Sequence, residues 1–150
     1  MIETFDANDF AKLPALCPVF NVRAASRLLT QLFDDILKPS GLQITQLSIL
    51  VGIATSENPT INQLAKILVM DRTTLTRGLK PLEKTGLLKI KKGDDKRTTI
   101  LEVTPKGMKI MLKALPYWKK ARAKAIDDFG EKFIDGLNKS LATVHQEKIC

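Results

Sequence analysis

The sequence predicts a mainly α-helical fold carrying a single two-stranded β-ribbon. Apolar residues recur at helical spacing through most of its 150 positions. Between Thr60 and Lys84 two short helical segments, each with its own capping residue, follow one another across a tight turn. Only from Leu88 to Val103 does the pattern change to alternation, around a polar tip.

Pro18 opens the first segment, and Val19, Phe20, Val22, Leu28, Leu29, Leu32, Phe33, Ile36 and Leu37 give it a broad apolar face. Pro39-Ser40-Gly41 ends it, since proline fits poorly inside a helix and glycine tolerates the turn. Thr45 is the expected N-cap of a second helix through Leu47, Leu50, Val51 and Ala54, which stops before Asn58-Pro59. Thr60 and Gln63 have the spacing of a capping box for a short third helix with Ile61, Leu64, Ala65 and Leu68 on one side.

Asp71 caps the fourth helix. Leu75, Leu79 and Leu82 line its inner face, with Arg72, Thr73, Thr76, Arg77, Lys80 and Lys84 mostly away from it. Pro81 should bend or end this helix, because it lacks an N–H and crowds the carbonyl of Arg77. Leu88, Ile90, Leu101 and Val103 alternate with Lys89, Lys91 and Glu102, so two strands with one buried face flank a hairpin tip at 93–97. Thr104 then serves as N-cap, and Pro105 as first residue, of a long helix. Breaks are expected at Pro116 and Gly130, and the apolar face resumes through Ile126, Phe129, Phe133, Leu137 and Leu141.

Apolar residues make up 44% of the chain and charged residues 27%, a globular composition with no linker-like tract. The chain reads as one domain, 1–150. The helices at 18–38 and 105–148 are too apolar for a small central lobe at 45–104 to cover, which points to a homodimer formed through both ends.

The net charge is +8. Residues 60–100 hold ten Lys/Arg against Asp71, Glu83, Asp94 and Asp95, a local excess suited to a polyanion that releases counterions on contact. The N-terminus lacks the basic-then-apolar pattern of a signal peptide, and no apolar run reaches bilayer length. Cys17, Cys150 and His145 provide neither a disulfide framework nor metal-ligand spacing, so no metal or cofactor is expected, and a reducing cytoplasm fits. One histidine, no glycine-rich phosphate loop and no nucleophile elbow argue against an enzyme.

Four stretches in order, CPVFNVRAASRLLTQLFDDILKPSGLQITQLSIL, INQLAKILVMDRTTLTRGLKPLEKTGLL, GDDKRTTILEVTPKG and LPYWKKARAKAIDDFG, resemble the MarR family of bacterial regulators from about Cys17 to Leu141. The resemblance implies a homodimer with interlocking terminal helices and two winged helix-turn-helix lobes on successive major grooves of a pseudo-palindromic operator. It implies that Thr73, Thr74, Thr76, Arg77 and Lys80 face bases and phosphates. Arg97 at the wing tip then reaches a minor groove, with Asp95 as its acidic partner. Thr60, Asn62, Arg72, Lys91 and Lys96 complete the candidate DNA contacts. Side-chain chemistry agrees: arginine pairs bidentately with guanine, threonine offers a hydroxyl and a methyl to base edges, and lysines hold phosphates.

For the signal that controls binding, three residues stand out. Arg23 and Trp118 are candidates for a pocket, since relatives by resemblance take small aromatic, often anionic, effectors. Cys17 stands before Pro18 at a helix N-terminus, where a thiolate is favoured, and is a candidate oxidant sensor with Cys150 as resolving thiol. Against that, the family's peroxide sensors hold their thiolate with tyrosines and this chain has only Tyr117; a buried, inert cysteine is the plain alternative. From another class, the chain is a winged-helix module for a protein partner, its basic face incidental.

Overall fold

A computed structural model describes residues 7–95 and 98–149, with side chains described between 8 and 144. The chain runs α1 (Ala7–Leu16), α2 (Pro18–Leu37), a 3-10 turn (Lys38–Ser40), α3 (Ile44–Ala54), α4 (Ile61–Ile67), α5 (Arg72–Lys84), β1 (Leu88–Lys92), β2 (Thr99–Val103), α6 (Pro105–Phe129) and α7 (Glu131–Ile149). Helices α3, α4 and α5 with the β-ribbon enclose the core. Leu37, Leu50, Leu64, Leu75, Leu79, Leu82, Leu88 and Leu101 are each at most 1% exposed there. Burying a leucine fully stabilises by about 1.5–3 kcal/mol, which makes this lobe the stable centre of the fold.

The caps explain where the helices begin. Thr60 Oγ1 accepts from Gln63 N, while Gln63 Oε1 accepts from Thr60 N, a complete capping box. Asp71 caps α5 and Thr104 caps α6, with Pro105 in the first turn, as the sequence predicts. The start of α3 differs from expectation. Its N-cap is Gln43, not Thr45: Gln46 Oε1 accepts from Gln43 N at 3.0 Å, and Asp34 Oδ1 on α2 accepts from Ile44 N at 2.6 Å. The residue that draws the first turn together comes from another helix.

Neither Pro81 nor Pro116 ends its helix. α5 continues through Pro81 to Lys84, and α6 continues through Pro116, leaving Gly130 as the break between α6 and α7. The carbonyls that these prolines cannot serve belong to Arg77 and Leu112, residues on the exposed side of their helices. Helix α1 is an element the sequence reading lacks. It ends at Leu16 because Cys17, preceding Pro18, is extended at φ −79°, ψ 112°.

β1 and β2 are antiparallel, with Leu88 opposite Val103 and Ile90 opposite Leu101. β2 is paired on its other side as well: Leu101 N donates to Pro59 O at 3.0 Å, and Thr60 bridges Ile100. The ribbon is thereby fixed to the entry of α4.

Val69 and Gly107 each meet an unusual backbone demand. Val69, in the turn between α4 and α5, takes φ 52°. Around it Val69 N donates to Lys66 O and Met70 N to Ala65 O, a Schellman motif with valine where glycine is usual. Gly107, in the first turn of α6, lies so near Leu87 that a Cβ would stand 2.0 Å from the Leu87 carbonyl oxygen. Among the described residues no single helix is long and apolar enough to cross a membrane.

Candidate nucleic-acid interface

The outer face of α5 follows from its inner one. With Leu75, Leu79 and Leu82 buried, Arg72, Thr73, Arg77 and Lys80 point outward and are exposed. Arg72, Arg77 and Lys80 make no ion pair with another described residue. Their charge is available to an external anion. Two threonines of the same helix are already engaged. Thr76 Oγ1 donates to Arg72 O at 2.7 Å, leaving its methyl group and the hydroxyl lone pairs. Thr74 Oγ1 donates to Asp71 Oδ2 at 2.5 Å, and Thr74 N donates to Asp71 Oδ1 at 2.8 Å. Those two bonds, the hydroxyl's foremost, hold the Asp71 carboxyl below its ordinary range. Thr74 thus builds the start of the helix.

At the junction of reader and ribbon, Thr60, Ile61 and Asn62 of α4, Arg72 of α5, and Thr98 and Thr99 line a cleft of about 120 Å³. Thr98 and Thr99 were not singled out from the sequence, where nothing distinguishes them from other hairpin threonines. On the ribbon, Lys91 is ion-paired with Glu102 on the neighbouring strand, and this hydrogen bond holds the Glu102 carboxyl below its ordinary range. Lys91 therefore shares its charge with a neighbour, unlike Arg77. Around the tip, Thr98 N and Oγ1 both donate to Asp95 O at 2.8 Å, and Gly93 N donates to Thr98 O at 2.9 Å, closing the turn through backbone bonds. Lys96 and Arg97 lie outside the described residues.

The three candidate sensor residues line no common cleft among the described residues. Cys17 is half-buried, neither fully inside nor open, at the N-cap of α2. Cys150 is outside the described residues. Arg23 is exposed on α2. Trp118 on α6 packs against the core and borders an apolar groove of about 610 Å³, walled by Leu47 and Val51 of α3, Ile67 of α4, and Met108, Met111, Leu112 and Leu115 of α6. A second cleft of about 520 Å³ sets Trp118 beside Lys119 and Arg122, two cations the sequence did not mark as special. Arg23 lines neither. Among the described residues no three His, Cys, Asp or Glu side chains gather as a metal site.

Away from the lobe, apolar residues are left in the open along α1, α2 and α7: Phe10, Leu16, Val19, Phe20, Leu28 and Leu141 are 52–74% exposed. So many large apolar side chains left in the open make these helices a candidate association face.

The MarR family model matches residues 42–99, the span from the entry of α3 to the start of β2. The HTH-type transcriptional regulator Hpr of Geobacillus thermodenitrificans is 36% identical over 87 residues, a match spanning 57% of this chain and 44% of that relative. The chain thus spans less than half the length of this curated relative. Among solved structures, that of the M. tuberculosis transcriptional regulator MosR in complex with DNA matches at 34% identity and a TM-score of 0.77, covering 88% of this chain and 96% of that one. Wild-type MarR from E. coli, in its apo form, shares the fold at 20% identity and a TM-score of 0.69, covering 86% and 97%. With the reader and the first strand of the ribbon matched by the family model and 88% of its length matched by a solved structure at 34% identity, this chain belongs to the MarR family.

Proposed function

We propose that the protein is a sequence-specific duplex-DNA-binding transcription regulator, acting as a homodimer in the cytoplasm. The observation that carries this reading is the outward row Arg72, Arg77 and Lys80 on a capped helix whose other face is locked into the core. These cations form no ion pair among the described residues, and arginine at the exposed centre of the helix suits bidentate pairing with guanine in the major groove. The regulator MosR, similar over most of its length, is described in complex with DNA, which supports the same reading here. The apolar faces of α1, α2 and α7 support dimerisation, with two lobes reading half-sites about 10 base pairs apart. Thr60, Asn62, Thr73, Lys91 and, on sequence grounds, Asp95, Lys96 and Arg97 are assigned to the same interface.

Selection from a randomised duplex pool, repeated across salt concentrations, tests this. A palindromic site with a steep salt slope, about −0.9 per phosphate neutralised, is the expected result. Arg77→Ala should weaken the selected site by about 1–3 kcal/mol and random duplex much less. Absence of enrichment would leave the protein-partner reading.

A second reading concerns release. The groove beside Trp118 is lined by aliphatic, methionine and tryptophan side chains and joins α3 and α4 to α6. It suits a small aromatic ligand. Repression relieved by such a ligand is the regulatory mode we favour over oxidation of Cys17. Retention of operator binding after peroxide in the parent protein supports that preference, and its loss in the parent with retention in Cys17→Ser sinks it.

A further inference from the structure

Three successive carbonyls at the end of the reading helix are all taken by one short segment. Thr85 O accepts from Lys106 Nζ at 2.7 Å, Gly86 O accepts from Thr104 Oγ1 at 2.6 Å, and Leu87 O accepts from Thr104 N at 3.1 Å. Thr85 is the C-cap of α5, where the helix presents unsatisfied carbonyls and the negative end of its dipole. An ammonium there makes a charge-assisted bond at the point where a cation is most favoured. The donor comes from the first turn of α6, 21 residues away in sequence.

We propose that Lys106 is a positioning residue of the DNA reader: its ammonium fixes the C-terminal end of α5 to α6 and so sets where the other end of α5 points. This rests on the reading of α5 as the DNA-contacting helix. Base contacts come from the N-terminal part of such a helix, and Arg72 stands roughly 20 Å from Thr85 along the axis at ~1.5 Å per residue. A tilt of about 5° at the held end carries the reading end by roughly 2 Å, enough to break hydrogen bonds to base edges. Thr104 holds the following residues through short backbone-directed bonds, and Lys106 brings a charged donor from α6 to the C-cap carbonyl itself, where the other bonds of the last turn are local.

The test is Lys106→Met, which keeps the length of the side chain and removes its charge, beside Lys106→Arg, which keeps the donor. Affinity for the selected duplex should fall by about fivefold or more in Lys106→Met, with less than about twofold on random duplex and an unchanged salt slope; Lys106→Arg should restore it. Amide hydrogen exchange at Thr85, Gly86 and Leu87, whose N–H groups close the last turn of α5, should quicken in Lys106→Met and recover in Lys106→Arg. An equal loss on both duplexes with a slope reduced by about 0.9 would make Lys106 a phosphate contact and overturn the proposal. Unchanged exchange would overturn it as well. Should no duplex be selected at all, the DNA-binding reading fails, while the exchange result still decides whether Lys106 holds α5.

Discussion

Asp34 on α2 accepts a hydrogen bond at 2.6 Å from the backbone N–H of Ile44, the first residue of α3. This bond ties the long N-terminal helix to the lobe at a point where α3 would otherwise leave an amide unserved. Asp34→Ala should therefore destabilise by about 1–2 kcal/mol, read as a lower urea midpoint with the slope unchanged. Asp34→Asn, which keeps an acceptor oxygen, should lose less. Equal stability of the two variants would mean that the charge of Asp34, not the bond, matters.

Val69 should be improvable. It takes φ 52° while 76% exposed, so it has the steric cost of a left-handed backbone and little packing to lose. Val69→Gly removes that cost, about 1–2 kcal/mol, and returns part of it as unfolded-state entropy. A net gain of about 0.5–1 kcal/mol, or roughly 1–3 °C in Tm at fixed protein concentration, is expected by calorimetry. A lower Tm would show that the valine side chain has a contact in the assembled protein that offsets its strain.

Gly107→Ala should do the opposite. A methyl group 2.0 Å from Leu87 O and 2.8 Å from Val103 Cγ1 must push apart the joint between the ribbon and α6, breaking the Thr104 N to Leu87 O bond. We expect a loss of about 2–4 kcal/mol in chemical unfolding and much reduced DNA affinity. A variant as stable as the parent would mean this joint yields easily.

The Asp71–Thr74 pair predicts an acid limit. The Asp71 carboxyl is held below its ordinary value of 3.8, so its folded form binds a proton less readily than its unfolded form. Its contribution to stability is present at neutral pH, begins to shrink as pH falls toward that value, and is gone once pH has dropped below the folded pKa. Comparing Asp71→Asn with the parent from pH 7 to pH 2.5 by circular dichroism should show the gap between them closing with acid. A gap that stays constant would assign the cap to hydrogen-bond geometry without charge.

What could be read in the sequence was whatever depends on neighbours along the chain. Thr60, Asp71 and Thr104 are caps made within four residues, and each acts as predicted. The outward face of α5 followed from the leucine spacing that buries the other face. The start of α3 was misplaced at Thr45 because its determinants, Gln43 and the distant Asp34, are a weak local signal and a tertiary one. α5 does not end at Pro81 nor α6 at Pro116, and the residues one turn back, Arg77 and Leu112, are both exposed. In the candidate interface the same division holds. Arg72, Arg77 and Lys80 were found by period, but the engagement of Thr74 and Thr76, the partner of Lys91, and the grip of Lys106 on Thr85 require three-dimensional neighbours.

The pairing of β2 with Pro59 has a consequence for the protein's behaviour at high concentration. At its middle, β2 is covered on the outer side by Pro59 and Thr60, which leaves a foreign strand less backbone to join there, so the longer open rim of the ribbon is β1. That rim carries Lys89, Lys91 and Lys92 in five residues, and a second copy approaching it edge to edge would meet the same lysines. The arrangement that anchors the wing thus also works against fibrous self-association, through the covered middle of one strand and the lysines of the other.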